Sequence, residues 1–401
     1  MSAREIVIVD GVRTPVGRAV KGSLVNVRPD DLSVLVIDEL LSRTGIDPAI
    51  VEDVKWGCGF AEAEQGGNFA RNVTLMTNLP YTTSAVTLNR YCSSSLEAIN
   101  SCAQAMLADC GDVMIAGGAE SMSMIPMGGI HGNRMMNPKF FAKYADKPAA
   151  FAMTQTAQYV AEAYGYKRAD MDEYAKMSQD RTIAAIDAGR FADQILPVPI
   201  KDEAGNEIMF DTDECPRRNV SLEKMASLPP VSGPIMEGVT ELFITAGNSC
   251  PTNDGAAGVL MMTREKADEL GLKPFVKIVP RGMATAGVEP YEMGIGPVPA
   301  TKKVLERTGL TIDDLDLIEL NEAFAVQCLY FIKELGADIE KLNVNGGAIA
   351  LGHPFGMSGA RLMIMLMYEM RRCEAKRGLA TLCVGGGMGV STIVEREDDW
   401  K

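Results

Sequence analysis

Apolar residues along this chain gather in short continuous runs more often than they alternate with polar ones. Residues 6–9 (Ile-Val-Ile-Val), 113–116, 256–262, 275–279 and 381–384 are such runs. Runs of this length predict strands covered on both faces, with helices packed on each side of a sheet. Residues 93–107 and 358–370 read as helices that are apolar almost all round, and are therefore expected to be buried.

The pattern also repeats in the same order along the chain. Ser42-Arg43-Thr44-Gly45-Ile46 leads through Asp47-Pro48 to a strand-like run ending at Val54. Glu306-Arg307-Thr308-Gly309-Leu310 leads through Thr311-Ile312 to a similar run ending at Ile318. Both read as a helix, a glycine stop, a turn and a strand. The runs at 6–9 and 113–118 find counterparts at 275–279 and 381–386. Three matches in one order predict two homologous α/β units.

Residues 121–242 break the pattern, being rich in Met, Tyr, Lys and Asp and interrupted by Leu196-Pro197-Val198-Pro199 and Leu228-Pro229-Pro230. They read as a helical and loop-rich insertion, and such excursions from a scaffold commonly carry binding function. The expected division is 1–120 with 243–270 as the first core, 121–242 as the insertion, and 271–401 as the second core.

Composition sharpens this picture in three ways. A length of 401 residues with 47% hydrophobic and 23% charged residues fits a globular α/β protein of more than one packed unit. A net charge of −14 argues against nucleic acid or an anionic membrane surface as the main partner, while leaving room for a local basic site. Nine cysteines, odd in number and without a CxxC pair, argue against a disulfide framework or a zinc site and for a reducing, cytoplasmic compartment. No signal peptide precedes the first strand, and the most apolar later run, 362–367, is too short to cross a bilayer, so no membrane insertion is expected.

The candidate chemistry is concentrated at few places. Only two histidines occur, His131 and His353. His353 sits in Gly352-His353-Pro354, a tight turn ahead of a helix with Ser358 in cap position. Cys92 sits at the matching place in the first unit, in Asn89-Arg90-Tyr91-Cys92-Ser93-Ser94-Ser95. A helix N-terminus there is expected to lower its thiol pKa, although a buried structural cysteine is the other reading. Cys383 ends a strand ahead of Gly385-Gly386-Gly387-Met388-Gly389, which does not fit a dinucleotide-binding fingerprint.

These blocks, together with Asn321-Glu322-Ala323-Phe324, resemble the four signature blocks of the thiolases, in family order and spacing. Val9-Asp10-Gly11-Val12-Arg13-Thr14-Pro15 and Asn253-Asp254-Gly255-Ala256-Ala257 are also similar to the family, and the likeness covers essentially the whole chain. It implies a thiolase fold, two α/β core units in an αβαβα arrangement with an inserted helical and loop domain for coenzyme A and oligomer contacts. It implies an acyl-CoA:acetyl-CoA C-acyltransferase of fatty acid metabolism and β-oxidation, with coenzyme A as substrate, no permanently bound cofactor or metal, and a homodimer or homotetramer.

Roles follow from the same resemblance. Cys92 is the expected nucleophile, His353 takes its proton, and Cys383 is the second acid/base. Asn321 holds a water that forms one oxyanion hole with His353, and the amides of Cys92 and Gly385 form the other. Asp213-Glu214-Cys215-Pro216-Arg217-Arg218, with Ser221 and Lys224, looks like the nucleotide-contacting loop, and Arg suits both stacking and phosphate contact. Met153 and Cys250 are expected along the pantetheine channel, and the Met122, Met124, Met127, Met135 and Met136 cluster at the acyl pocket or in flexible packing.

The sequence also departs from the acetoacetyl-CoA enzymes of the family. Ser95, Cys250 and Ala152 replace a Gly, a Ser and a His, and Phe355 and Met357 stand where smaller residues flank the histidine. A differently shaped acyl pocket is expected. Two rivals use the same scaffold: a decarboxylating ketoacyl synthase, and a catalytically silent acyl-CoA-binding subunit. Asn321 in place of a second His, with Cys383 present, argues against the first; all four catalytic positions being filled argues against the second.

Overall fold

The computed structural model describes residues 4–130, 136–146, 152–202, 204–233 and 239–397. The first unit runs β1 (Ile6–Arg13), β2 (Gly17–Arg18), α1 (Pro29–Thr44), β3 (Asp53–Gly57), α2 (Phe69–Thr74), β4 (Ser84–Leu88), α3 (Ser94–Leu107) and β5 (Val113–Ser121). An excursion follows with α4 (Pro138–Lys143), α5 (Met153–Tyr164), α6 (Arg168–Asp187), β6 (Val198–Lys201), β7 (Glu207–Phe210) and α7 (Leu222–Ala226). The chain returns with β8 (Asn253–Thr263) and α8 (Arg264–Glu269). The second unit is β9 (Val276–Gly287), α9 (Pro297–Thr308), β10 (Leu317–Leu320), α10 (Ala325–Leu335), α11 (Ala348–Leu351), α12 (Phe355–Cys373), β11 (Arg377–Val384) and β12 (Met388–Arg396).

The strand order exposes the repeat. From the central seam the sheet runs outward as β1-β8-β5-β3-β4 on one side and β9-β12-β11-β10 on the other. Each side pairs antiparallel, antiparallel, then parallel. A parallel bridge from Ile318 to Leu342 stands where the first side has β4. The seam itself is narrow, with only Val7–Lys277 and Ile8–Val276 paired across it. α3 and α12 pack on each other, and α12 touches both sides of the sheet, while α1 covers β1 and β8 and α9 covers β9 and β12 from outside. The result is the expected five-layer αβαβα stack.

Local chemistry explains these elements. α1 starts with Pro29 at its first turn, carries Asp30 and Asp31 at its positive end, and stops at Gly45 with φ of 64°. α9 ends the same way at Gly309, φ 71°. β5 and β8 are buried along their whole length, as their unbroken apolar runs require. α12 buries Leu362, Met363, Ile364 and Leu366 fully. Each such side chain contributes roughly 1.5–3 kcal/mol relative to exposure. The helices α3 and α12 approach backbone to backbone because Gly359 has no side chain: a Cβ there would lie 2.3 Å from the Leu96 backbone nitrogen and 2.9 Å from its Cα, contacts the backbone could relieve only by moving the helices apart.

Two expectations need correction. Residues 196–199, read as a break, include β6, because Pro199 lies in an isolated two-stranded ribbon where one lost donor is tolerated. The strand-like run ending at Val54 begins only at Asp53, because Pro48–Ile50 forms a 3-10 turn capped by Asp47.

The insertion is pinned to the core by a buried ion pair. Arg13 on β1 grips Asp213 through two hydrogen bonds of 2.8 Å, and the Val16 amide donates to the same carboxylate at 2.7 Å. Neither side chain is exposed, so losing one partner would strand an uncompensated charge.

Candidate active site

Two turns that each lead into a buried helix, one from each unit, meet in the middle layer. The first is the 3-10 turn Tyr91–Ser93 between β4 and α3. Tyr91 adopts φ of 42°, a region costly for a non-glycine residue. Short polar side chains hold it there. Asn89 Oδ1 accepts from the Tyr91 amide at 2.8 Å, and the Ser94 hydroxyl donates to the Tyr91 carbonyl at 2.7 Å while accepting from the Arg90 amide at 3.0 Å. This turn packs against α12 and β11. It presents Cys92, which retains 8% exposure.

The second junction is the Gly352–Pro354 turn between α11 and α12. Gly352 takes φ of 108°, and a Cβ there would meet the Asn253 carboxamide at 2.5 Å. That amide accepts from the His353 backbone N–H at 2.9 Å, and its own Nδ2 donates to the Gly17 carbonyl at 2.9 Å and reaches the Cys215 sulfur at 3.1 Å.

The His353 ring has a defined tautomer. Ser358 Oγ donates to the Pro354 carbonyl at 2.7 Å, which uses its only proton. It must therefore accept from His353 Nδ1, 2.6 Å away, so Nδ1 carries the proton and Nε2 presents a lone pair. Asn321 Nδ2 lies 3.3 Å from Nε2. Ser358 was expected as a helix cap; it orients the imidazole instead, because Pro354 ahead of the helix leaves its carbonyl within reach of the hydroxyl.

The second thiol completes the cluster. Cys383 at the end of β11 donates its S–H to Gln327 Oε1 at 3.0 Å. Its charge would be felt at Cys92, and the Gly385 amide donates toward Cys92. Cys250 also neighbours Cys92, with its backbone amide bonded to the Ala323 carbonyl at 3.0 Å. The structure thus brings Cys92, His353, Asn321, Cys383, Gly385 and Cys250 together.

Burial sets the electrostatics. It pushes the Cys92 thiol well up, with Cys383 adding to the effect and the Gly385 amide opposing it. Burial pushes Cys383 up to about 12 and His353 down to about 3. The expected lowering of the Cys92 pKa is therefore absent in the free protein, because desolvation outweighs the amides at the helix start.

Two buried carboxylates brace the site, and sequence reading passed over both. Glu120 accepts from the amides of Gly59, Phe60 and Gly356 and from Gln65 Nε2, at 2.7–3.1 Å. Burial still raises its pKa. Glu322 accepts from Tyr174, Ser178, Asn343 and the Ile349 amide, at 2.6–3.1 Å. Charged residues inside apolar runs were the available signal, since a buried carboxylate must find donors.

A cavity of about 580 Å³ opens beside this cluster, and Arg217, Arg218, Ser221, Lys224, Arg18 and Cys215 are among its lining residues. Three of the expected coenzyme contacts, Arg217, Ser221 and Lys224, lie there together. Ser221 caps α7 by accepting from the Lys224 amide at 3.2 Å, leaving its proton to donate. Cys250 is not in the lining, but Pro251 directly after it is. Met153 opens α5 and packs half-buried against the second core cluster. His131 and Met135 lie outside the described residues.

Residues 6–265 match the family description "Thiolase, N-terminal domain", and residues 272–396 match "Thiolase, C-terminal domain". The chain belongs to the thiolase family. It is 44% identical to a 3-ketoacyl-CoA thiolase of Bacillus subtilis over 400 residues, covering 98% of this chain and 99% of that one. It is 45% identical to an acetyl-CoA acetyltransferase of Chromobacterium violaceum, covering 98% and 100%. The crystal structure of the Bacillus anthracis acetyl-CoA acetyltransferase superposes with a TM-score of 0.87 at 38% identity, covering 98% of this thiolase and 99% of that chain.

Proposed function

We propose that this thiolase is an acyl-CoA:acetyl-CoA C-acyltransferase, cleaving 3-ketoacyl-CoA with coenzyme A or running the reverse Claisen condensation. The observation that carries the reading is the His353 ring, fixed with Nε2 as acceptor, on a turn packed beside the Cys92 turn and the second thiol. The names of the relatives support it.

In this reading Cys92 attacks the keto carbon and its proton passes to His353 Nε2. Because burial disfavours both the thiolate and the imidazolium, that transfer is uphill in the free protein. The substrate must offset it by developing negative charge where donors are already aimed, which is the largest catalytic contribution expected here. The amides of Cys92 and Gly385 supply one set of donors. His353 and a water held by Asn321 supply the other; Asn321 Oδ1 is buried and accepts no hydrogen bond from the described residues, which leaves it to hold that water. The carbon–carbon bond then breaks, and the departing acetyl-CoA enolate takes the Cys383 proton. The incoming coenzyme A thiol returns a proton to Cys383 and attacks the acyl group, and Cys92 leaves and recovers its proton from His353.

The coenzyme belongs in the basic cavity, with Arg217 toward the phosphate and adenine end, Ser221 and Lys224 along it, and Cys250 and Met153 toward the pantetheine. Clustered Arg and Lys there provide the local positive patch that a chain of charge −14 needs for an anionic substrate. The wider setting in this reading is a homodimer or homotetramer in the cytoplasm serving β-oxidation, with cores 1–120 plus 243–270 and 271–401 flanking the insertion 121–242. Nine free thiols support a reducing compartment. The edge strand β4, with Val86, Leu75, Met76 and Tyr81 exposed on or near it, supports association through that edge.

The test is coenzyme A-dependent cleavage of 3-ketoacyl-CoA substrates from acetoacetyl-CoA to long, branched and ring-bearing chains, followed by loss of the thioester-enolate absorbance. Cleavage within one part of the series is expected. No cleavage anywhere by folded protein would refute the reading in favour of a silent subunit.

A further inference from the structure

Gln327 stands in the first turn of α10 with 1% exposure, and nothing in the reaction described above uses it. Its amide touches two members of the cluster at once. Nε2 donates to the Asn321 main-chain carbonyl at 2.6 Å, and Oε1 faces the Cys383 sulfur at 3.0 Å. The orientation of this amide follows from chemistry. A main-chain carbonyl can only accept, so the nitrogen must face Asn321 and the oxygen must face Cys383. A carboxamide oxygen can also only accept, so Cys383 must donate.

We propose that Gln327 is the positioning residue of the second acid/base, holding Cys383 as a protonated donor aimed along one direction while tying it to the Asn321 peptide. This rests on Cys383 being the group that exchanges a proton with the α-carbon. The same Asn321 places its side chain on His353 Nε2, so Gln327 links the two proton-handling groups through a single residue. Among the neighbouring groups, the Asn321 side-chain amide also reaches the Cys383 sulfur, as a donor, which leaves the S–H itself to the Gln327 oxygen. The Cys383 environment contains the Cys92, Cys250 and Cys328 thiols and the Asn321 amide, and burial keeps those thiols protonated. The S–H that leaves for the enolate carbon in cleavage is therefore presented by an amide oxygen, and it returns to the same sulfur in condensation.

The experiment separates the Cys383 step from the Cys92 step. Exchange of the acetyl-CoA α-protons with deuterated water reports the first, and acetyl transfer from acetyl-CoA to Cys92, read by peptide mass spectrometry, reports the second. Gln327→Met should slow exchange on the order of ten-fold, because the sulfur loses the partner that fixes its direction toward the α-carbon. Gln327→Glu should slow it further, because its carboxylate opposes formation of the thiolate and loses the donor to Asn321. Both should leave Cys92 acylation within about two-fold of the wild type, since Gln327 touches the sulfur of Cys383 directly but reaches His353 only through the Asn321 main chain. The Glu variant preserves the shape of glutamine and keeps the test available if the Met variant does not fold. Exchange that is unchanged or faster, or acylation that falls by the same factor as exchange, overturns the proposal. Cys383→Ala is the control: exchange persisting there would refute the underlying role of Cys383, whereas exchange lost there but intact in both Gln327 variants would refute Gln327 alone.

Discussion

The Cys92 and His353 junctions occupy equivalent places in the two units, yet they hold their residues differently. At the first, a serine in the opening turn of α3 spends both hydrogen bonds on backbone, clamping Tyr91 in a strained conformation so that Cys92 is presented. At the second, a serine in the opening turn of α12 spends one bond on backbone and the other on the imidazole. The strain there falls on Gly352, which can carry a positive φ without penalty. A duplicated scaffold has thus been specialised through what one hydroxyl faces: backbone geometry for the nucleophile, ring tautomer for the base.

Removing each device should break this comparison by a different amount. The largest effect belongs to the nucleophile itself: Cys92→Ala should abolish acylation by acetyl-CoA, a loss of at least about 10³-fold in turnover, measured by steady-state cleavage. Next comes Ser358→Ala, which frees the His353 tautomer and should lower kcat on the order of 10²-fold with little change in KM for coenzyme A. Ser94→Ala should act instead on the strained turn, costing about 1–3 kcal/mol of stability in denaturant titration together with turnover. A loss in kcat for Ser358→Ala no larger than that for a distant buried serine would remove the distinction between the two junctions.

A pH effect sharpens the same contrast. The folded protein holds His353 down to about 3, below its ordinary value near 6.5. Below pH 6.5 the unfolded chain binds a proton that the native state refuses, so this contribution to stability is complete above that pH and is lost as pH falls toward 3. It amounts to at most about 5 kcal/mol. His353→Asn should flatten that part of the stability profile measured by urea unfolding from pH 7 to pH 4. The smallest effect is expected at the cavity: Arg217→Ala should raise KM for coenzyme A by roughly five- to ten-fold with kcat nearly unchanged.

Much of this architecture is legible in the sequence. Unbroken apolar runs at 113–116 and 256–262 required strands covered on both faces, and the glycine stops at Gly45 and Gly309 marked the repeat. Cys92 and His353 stood out because each sits on a turn just ahead of a buried helix and because histidine is so scarce here. Other features depend on contacts that linear spacing does not encode. Nothing near Gln327 in sequence signals that it bridges Cys383 and Asn321, since Cys383 arrives from β11, 56 residues along the chain. The β6–β7 ribbon was hidden by its prolines. The raised pKa of the Cys92 thiol was not legible because a helix start is visible in sequence and the depth of burial around it is not.

The most direct test of the paired-junction account is peptide mapping of the protein after brief exposure to acetyl-CoA and again after addition of coenzyme A. A single acetyl group on Cys92, formed in the wild type, slowed in Ser358→Ala and removed by coenzyme A, is the expected result. Acetylation on another cysteine, or none in folded protein, would contradict it.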